Sequence, residues 1–283
     1  MKLRVTHTTS YSYSSPVTLS PHYLRFKPQS RDYLSIDDFV LTITPEPNSI
    51  SERLDAENNP VSQIWLDPVP IETIDFSMEM TVTLHPFDPF HFLLDPPVNC
   101  MDNRFYYPDE FKDFLTPYLA VDSPQNESFI PFLSSRVKGC DKSCILFITD
   151  LTRHIHNNFS YESKEDNVLL NAGAIFENRS GSCKELSWML IQMLRHVGLA
   201  SRFVSGYAYN PILGDGHELH AWVEVLLPGA GWIGLDPSSG LLTDEHYIPV
   251  ATSFHPNNTM PITGNFRGEA TSTLTTNVNI EEF

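Results

Sequence analysis

Residues 74 to 84 alternate without a break. Ile74, Phe76, Met78, Met80, Val82 and Leu84 are apolar, and Asp75, Ser77, Glu79, Thr81 and Thr83 between them are polar. A period of two predicts a strand with one buried face. Phe39, Leu41 and Ile43 repeat it in "DDFVLTIT", and "KLRVTHTTSYSY" and "NPVSQIWLD" carry weaker versions. Clusters such as "TPEPNS" and "DAENNP" punctuate these runs, as turn residues do between strands. No ten-residue amphipathic helix pattern precedes residue 105. Residues 1–85 therefore predict an antiparallel, sandwich-like β module.

The period then changes. Residues 86–130 mix aromatics with prolines, in "HPFDPFHFLLDPPVN" and "YYPDEFKDFLTPYL". They are too apolar for a disordered linker and predict a packed connector with a short helix near 109–115. Ile145, Ile148, Leu151 and Ile155 have helical spacing, with Asp141 or Ser143 as the cap. A second helix shows a full stripe: Leu186, Met189, Leu190, Met193, Leu194 and Val197. Gly198 follows as its stop. Three strand-like runs come next, "SRFVSGYAY", "HAWVEVLL" and "WIGLD", the last two joined by "PGAG". The predicted class is α+β. The expected organisation is a β module over 1–85, the connector over 86–130, a core over 131–270, and a C-terminal strand over 271–283.

Composition narrows the chemistry. The chain has 283 residues, a net charge of −17 and a sequence pI near 4.9. Such a surface repels phosphate backbones, which argues against a nucleic-acid partner. No leader-like apolar segment and no run long enough to span a membrane is present. Four cysteines, Cys100, Cys140, Cys144 and Cys183, are few for this length. Free thiols and a cytoplasmic location are expected.

One of those cysteines stands apart. Cys183, in "GSCKE", falls at a helix start, where unpaired N–H groups and the helix dipole favour a thiolate. Ser182 and Glu185 have the spacing of a capping box, and Gly181 leaves the backbone able to turn tightly. A nucleophilic thiol needs a base and the base an orienter. His220 opens the strand "HAWVEVLL", sharing a face with Trp222 and Glu224, and Asp236 ends the next strand. If the hairpin centres on Gly229–Ala230, residue 220 faces about 239. Asp236 is then offset by three residues, about 10 Å of strand. Simple pairing permits this trio without predicting it.

Four segments in order, Gly181/Cys183, Gly198 to Tyr207, His220/Ala221/Trp222 and Gly231/Trp232/Asp236/Pro237, resemble the bacterial transglutaminase-like family of papain-fold cysteine enzymes. The N-terminal β part resembles the module that often precedes this core, so the resemblance covers most of the chain. It implies a nucleophile helix packed on an antiparallel sheet, with Cys183 as nucleophile, His220 as general base and acid, and Asp236 as orienter. Lys184–Glu185 stands where the family usually has Gln-Asp or Arg-Asp. For the oxyanion, the Cys183 N–H is the natural first donor. Tyr161 matches an aromatic common in the family at that point, and Asn171 and Asn178 are further candidate donors. Trp222 and Tyr207 are candidates for a substrate pocket.

Rival sites are weaker. In "GHELH", His217 and His220 are three apart and run into a strand, unlike the zinc protease motif. A zinc site of Cys183, His217 and His220 stays open as a minor alternative. His154 and His156 are two apart on a helix and read as surface residues. Cys140 and Cys144 lack the spacing of a metal or redox pair. No metal, cofactor or nucleotide is expected. The expected activity is acyl transfer at peptide or side-chain amides through a thioester, with hydrolysis favoured. An amine-accepting transferase and a non-catalytic binding module are the alternatives. The expected partner is a peptide or protein substrate, and nothing in the sequence identifies a protein partner for the β module.

Overall fold

The protein is seen in a computed structural model that describes residues 1–283 apart from 96–97, 123–125, 141–142, 163–169 and 212–218. Six strands build its first part: β1 (Lys2–Leu19), β2 (His22–Leu24), β3 (Leu34–Thr44), β4 (Ser49–Leu54), β5 (Pro60–Trp65) and β6 (Ile71–Leu84). The alternation read from residues 74–84 is the burial pattern of β6: every even-numbered side chain from Ile74 to Leu84 is buried. A hairpin, β7 (Asn99–Met101) with β8 (Arg104–Tyr106), and α1 (Lys112–Leu119) make up the connector. The core follows as α2 (Ile130–Gly139), α3 (Cys144–Asn158), β9 (Ser160–Tyr161), α4 (Ala172–Asn178), β10 (Ser180–Gly181), α5 (Cys183–His196), β11 (Ser201–Ala208), β12 (Leu219–Leu227), β13 (Gly231–Asp236), β14 (Leu241–Leu242) and β15 (Tyr247–Ser253). The chain then returns with β16 (Ile262–Thr263), β17 (Phe266–Arg267) and β18 (Ser272–Glu282). Among the described residues no helix is long and apolar enough to cross a membrane.

That return begins ahead of residue 270. Ile262 and Thr263 already pair with β2, and Phe266 and Arg267 with the end of β1. β18 then zips along β1 from Tyr13↔Ser272 to Leu3↔Glu282. The first sheet thus runs β3-β6-β1, with β17 and β18 on the remaining edge of β1, and the second runs β16-β2-β5-β4. Leu3, Val5, Met78 and Met80 of the first sheet share one apolar cluster with Leu24 and Ile64 of the second. The cluster also takes in Tyr207, Ile248 and Val250 from the core, so module and core are packed together.

The core sheet has the order β14-β13-β12-β11-β15. Phe203, Ala221, Val223 and Val225 cluster with Leu186, Met189, Leu190, Met193 and Leu194 of α5. Each such large side chain contributes about 1.5–3 kcal/mol relative to exposure, against about 1 kcal/mol for a helix cap. The stripe therefore decides that α5 forms, and the caps decide where it starts and stops. At the stop, Gly198 has φ +84, and its N–H reaches Arg195 O at 3.0 Å while Leu199 N–H reaches Leu194 O at 2.9 Å. These are the two bonds of a Schellman closure. For α3 the cap is Ser143, which accepts from Leu146 N–H; the alternative, Asp141, lies outside the described residues.

Polar contacts also cross from module to core. Glu224, buried, is held by Arg202 at 2.6 Å and by Arg31 of the module at 2.9 Å. His7 of β1 is buried, with Nδ1 2.8 Å from the Tyr207 hydroxyl and Nε2 3.1 Å from the hydroxyls of Thr9 and Thr276. Burial pushes its pKa down to about 4. The native protein thus keeps His7 neutral where the unfolded chain would protonate it, so stability falls as pH drops from 6.5 toward 4. We expect about 3 kcal/mol of loss from this group over that range. Urea unfolding of His7→Gln should show a shallower acid limb; an unchanged limb would remove His7 as its cause.

Candidate active site

The site is built where α5 begins and three strands of the core sheet end. Ser182 caps α5: its Oγ accepts from Glu185 N–H at 3.4 Å, and Glu185 Oε2 accepts from Ser182 N–H at 3.0 Å. The capping box read from "SCKE" is present in full. It explains both flanking residues. Glu185, where the family resemblance was broken, folds back onto the cap. A Cβ on Gly181 would come within 3.1 Å of Glu185 Cβ and 3.3 Å of its Oε2. Cys183, half-buried, stands as the first residue of the helix, with an N–H that no intrahelical carbonyl can take.

His220 is carried on β12, which Ser187 of α5 ties down by donating to the Ala221 carbonyl at 3.2 Å. The loop between β12 and β13 has three residues, 228–230, rather than two. The ladder pairs Val223 with Leu235 and Val225 with Ile233, so continuing it sets residue 220 opposite 238 and residue 222 opposite 236. His220 and Asp236 are diagonal neighbours on one face, within reach of their side chains. The three-residue offset of the simple hairpin becomes two, and no bulge is needed.

The His220 ring joins the other two side chains. Its Nε2 is 2.9 Å from Asp236 Oδ2, and Cys183 hydrogen-bonds the same ring. An ionised carboxylate only accepts, so Nε2 carries a proton and Nδ1 is left for the sulfur. Burial disfavours the imidazolium, but the charge and hydrogen bond of Asp236, with the contribution of Cys183, outweigh it and push His220 up to about 10. Burial likewise opposes ionisation of Asp236; His220 and the donors from Ser238 and Tyr247 hold it well below the usual carboxylate range.

Sequence reasoning missed those last two donors. Ser238 gives Asp236 Oδ1 its N–H at 2.8 Å and its hydroxyl at 2.6 Å. Tyr247 donates to Oδ2 at 2.8 Å. "DPSSG" is a signal for Ser238, since an Asp commonly accepts from the backbone two residues on. Tyr247 lies on another strand, and nothing in the local sequence points to it.

The other predicted residues are placed differently. Trp222 and Tyr207, expected to line a pocket, are both inside the protein. Trp222 lies under the His220 imidazole, its ring centroid 6.2 Å from that of His220 at 28°. Tyr207 points to the module, where its hydroxyl meets His7. Alternation along a strand distinguishes two faces, but here both faces of the sheet are covered. Tyr161, half-exposed, is on β9, paired with Gly181 two residues before the cysteine. Asn171 caps α4, its oxygen accepting from Gly173 N–H at 2.8 Å. Asn178, exposed, ends that helix.

Among the metal alternatives, His217 lies outside the described residues. His154 is half-buried, 2.8 Å from Arg136, and exposed His156 donates to the Ser238 carbonyl at 2.7 Å. Among the described residues, Asp244, Glu245 and His246 are the group whose atoms come close enough for a cation. There Asp244 Oδ1 already accepts from both the N–H and Nδ1 of His246.

Residues 3–83 match the bacterial transglutaminase-like N-terminal region, and residues 133–237 match the transglutaminase-like superfamily. An uncharacterized protein of Mycobacterium bovis is 27% identical over 265 residues, covering 88% of this chain and 82% of that protein. The protein-glutamine gamma-glutamyltransferase of Pseudomonas aeruginosa is 35% identical over 71 residues, 23% of this chain and 11% of that protein. In a solved structure, a candidate cysteine protease from Cytophaga hutchinsonii, 99% of this chain aligns with 90% of that one at a TM-score of 0.73 and 19% identity, a likeness of fold. The chain therefore belongs to the transglutaminase-like superfamily of cysteine enzymes, with a bacterial transglutaminase-like N-terminal region ahead of its core.

Proposed function

We propose that this protein hydrolyses amide bonds of peptides or proteins through a thioester on Cys183. The observation that carries the reading is the His220 imidazole, bonded to Asp236 on one side and to Cys183 on the other. With its proton already held by the His220 imidazolium, the Cys183 thiolate attacks the carbonyl carbon. The tetrahedral oxyanion faces the Cys183 N–H at the helix start. The C–N bond breaks as His220 protonates the departing amine, leaving the thioester. Water then attacks, giving its proton to His220, and the sulfur leaves as a thiolate beside the imidazolium as the free acid forms. Asp236 stays ionised throughout and holds the ring in the useful tautomer.

The fold likeness to a candidate cysteine protease supports hydrolysis. The local identity to a glutamyltransferase supports the second reading, in which an amine replaces water. Incubation with a peptide amide, a labelled primary amine and ¹⁸O-water separates them. We expect ¹⁸O in the product carboxylate and a thioester on Cys183 by mass spectrometry, both lost in Cys183→Ala. Amine incorporation without net hydrolysis would defeat the hydrolase reading. Alkylation of Cys183 no faster than a free cysteine at pH 6 would favour a binding module.

A further inference from the structure

We propose that Tyr247 is a positioning residue of this site, fixing the Asp236 carboxylate in the orientation that His220 requires. The inference rests on the reading of Cys183, His220 and Asp236 given above. The Tyr247 hydroxyl donates at 2.8 Å to Oδ2, the same oxygen that takes the His220 Nε2–H at 2.9 Å. The opposite oxygen, Oδ1, is held by the N–H and hydroxyl of Ser238. The plane of the carboxylate is therefore pinned at both ends. Without the phenol, Oδ2 keeps only the imidazole, and carboxylate and ring can turn together away from the sulfur.

Tyr247 is itself held. It opens β15, its carbonyl accepts from the Tyr33 hydroxyl of the N-terminal module at 3.0 Å, and its N–H donates to Asp244 O at 3.2 Å. Its ring packs edge-on to Trp222, with centroids 5.2 Å apart, and 6.2 Å from the ring of His220. Burial and the charge of Asp236 push its phenol pKa far up, so it remains a donor across the working range. Donors that orient a reacting group's partner commonly matter by 10- to 100-fold when removed.

Tyr247→Phe keeps the ring and removes the hydroxyl, and with it the bond to Asp236 and a longer one, 3.4 Å, to the Ser239 hydroxyl. With p-nitrophenyl acetate as acyl donor to the full chain, we expect kcat to fall about 10-fold with KM unchanged. Because Tyr247 acts through Asp236, the same change made in Asp236→Asn should have no further effect. His220→Ala is a second background with the same expectation, should Asp236→Asn fold poorly. A wild-type rate in Tyr247→Phe, beside a slowed Asp236→Asn or His220→Ala, would overturn the proposal and leave the triad standing. An equal loss in every background would also overturn it, since general packing acts without regard to Asp236. Equal p-nitrophenol release by wild type and Cys183→Ala would instead overturn the reading of the site itself, and the proposal with it.

Discussion

Asp236→Asn should lower kcat by about 10²- to 10⁴-fold while leaving KM nearly unchanged. Every hydrogen-bond partner of this carboxylate is a donor: His220 and Tyr247 on Oδ2, and the Ser238 N–H and hydroxyl with the Ser239 N–H on Oδ1. A carboxamide has one accepting oxygen and one NH₂. If the NH₂ faces His220, Nε2 must accept, the proton moves to Nδ1, and the ring can no longer take a proton from Cys183. If it faces Ser238 and Ser239, donors oppose it in a buried place, which costs on the order of 1–3 kcal/mol.

Stability should show the same pair. His220 is raised from 6.5 to about 10, so its contribution is complete below pH 6.5 and disappears as pH rises through about 10. Asp236 is lowered from 3.8, so its contribution is complete above that value and disappears only at lower pH, through its folded-state value. The stability gap between wild type and Asp236→Asn should be widest from about pH 4 to 6.5 and should narrow toward pH 10. Urea titrations across that range, beside steady-state kinetics, check both statements. A gap independent of pH, or a variant with wild-type turnover, would contradict the charged pair.

Gly206→Ala should cost about 3 kcal/mol or more and reduce activity with it. Gly206 lies opposite His220 on β12 and opposite Pro249 on β15, beside a break in register. A Cβ there would stand 2.2 Å from the Ile248 carbonyl oxygen, 2.7 Å from the Trp222 ring and 3.0 Å from Pro249 Cα. Two of these obstacles are backbone. The third can move only by displacing the ring that lies under His220. A lowered urea midpoint with an unchanged m-value is expected, together with slower alkylation of Cys183. An unchanged midpoint would mean that the strands close less tightly at this point than the structure has them.

Some of this was readable because it is local. The alternation of residues 74–84, the apolar stripe of α5, the stop at Gly198 and the box from Ser182 to Glu185 all concern neighbours within one or two turns or pleats. There the chain's own geometry decides which side chains meet. The Cys183, His220 and Asp236 assignment needed the family resemblance. Hairpin counting alone misplaced the diagonal, because "PGAG" fits a two- or a three-residue loop equally well. Ser238 had a turn signal; Tyr247 had none.

What the amino-acid sequence determined by itself was the strongly periodic elements, such as β6 and α5, their buried faces and the helix-start cysteine; α2, α4 and β15 carried no such pattern. Periodicity encodes a face and a cap encodes an end. The tertiary structure alone decided what each face meets: β18 closing on β1 from the far end of the chain, Tyr207 turned toward His7 instead of a pocket, and Tyr247 carried to Asp236 by β15. A strand's pattern says that one side must leave water, but many surfaces can cover it. Packing volume and hydrogen-bond partners distant in sequence choose among them.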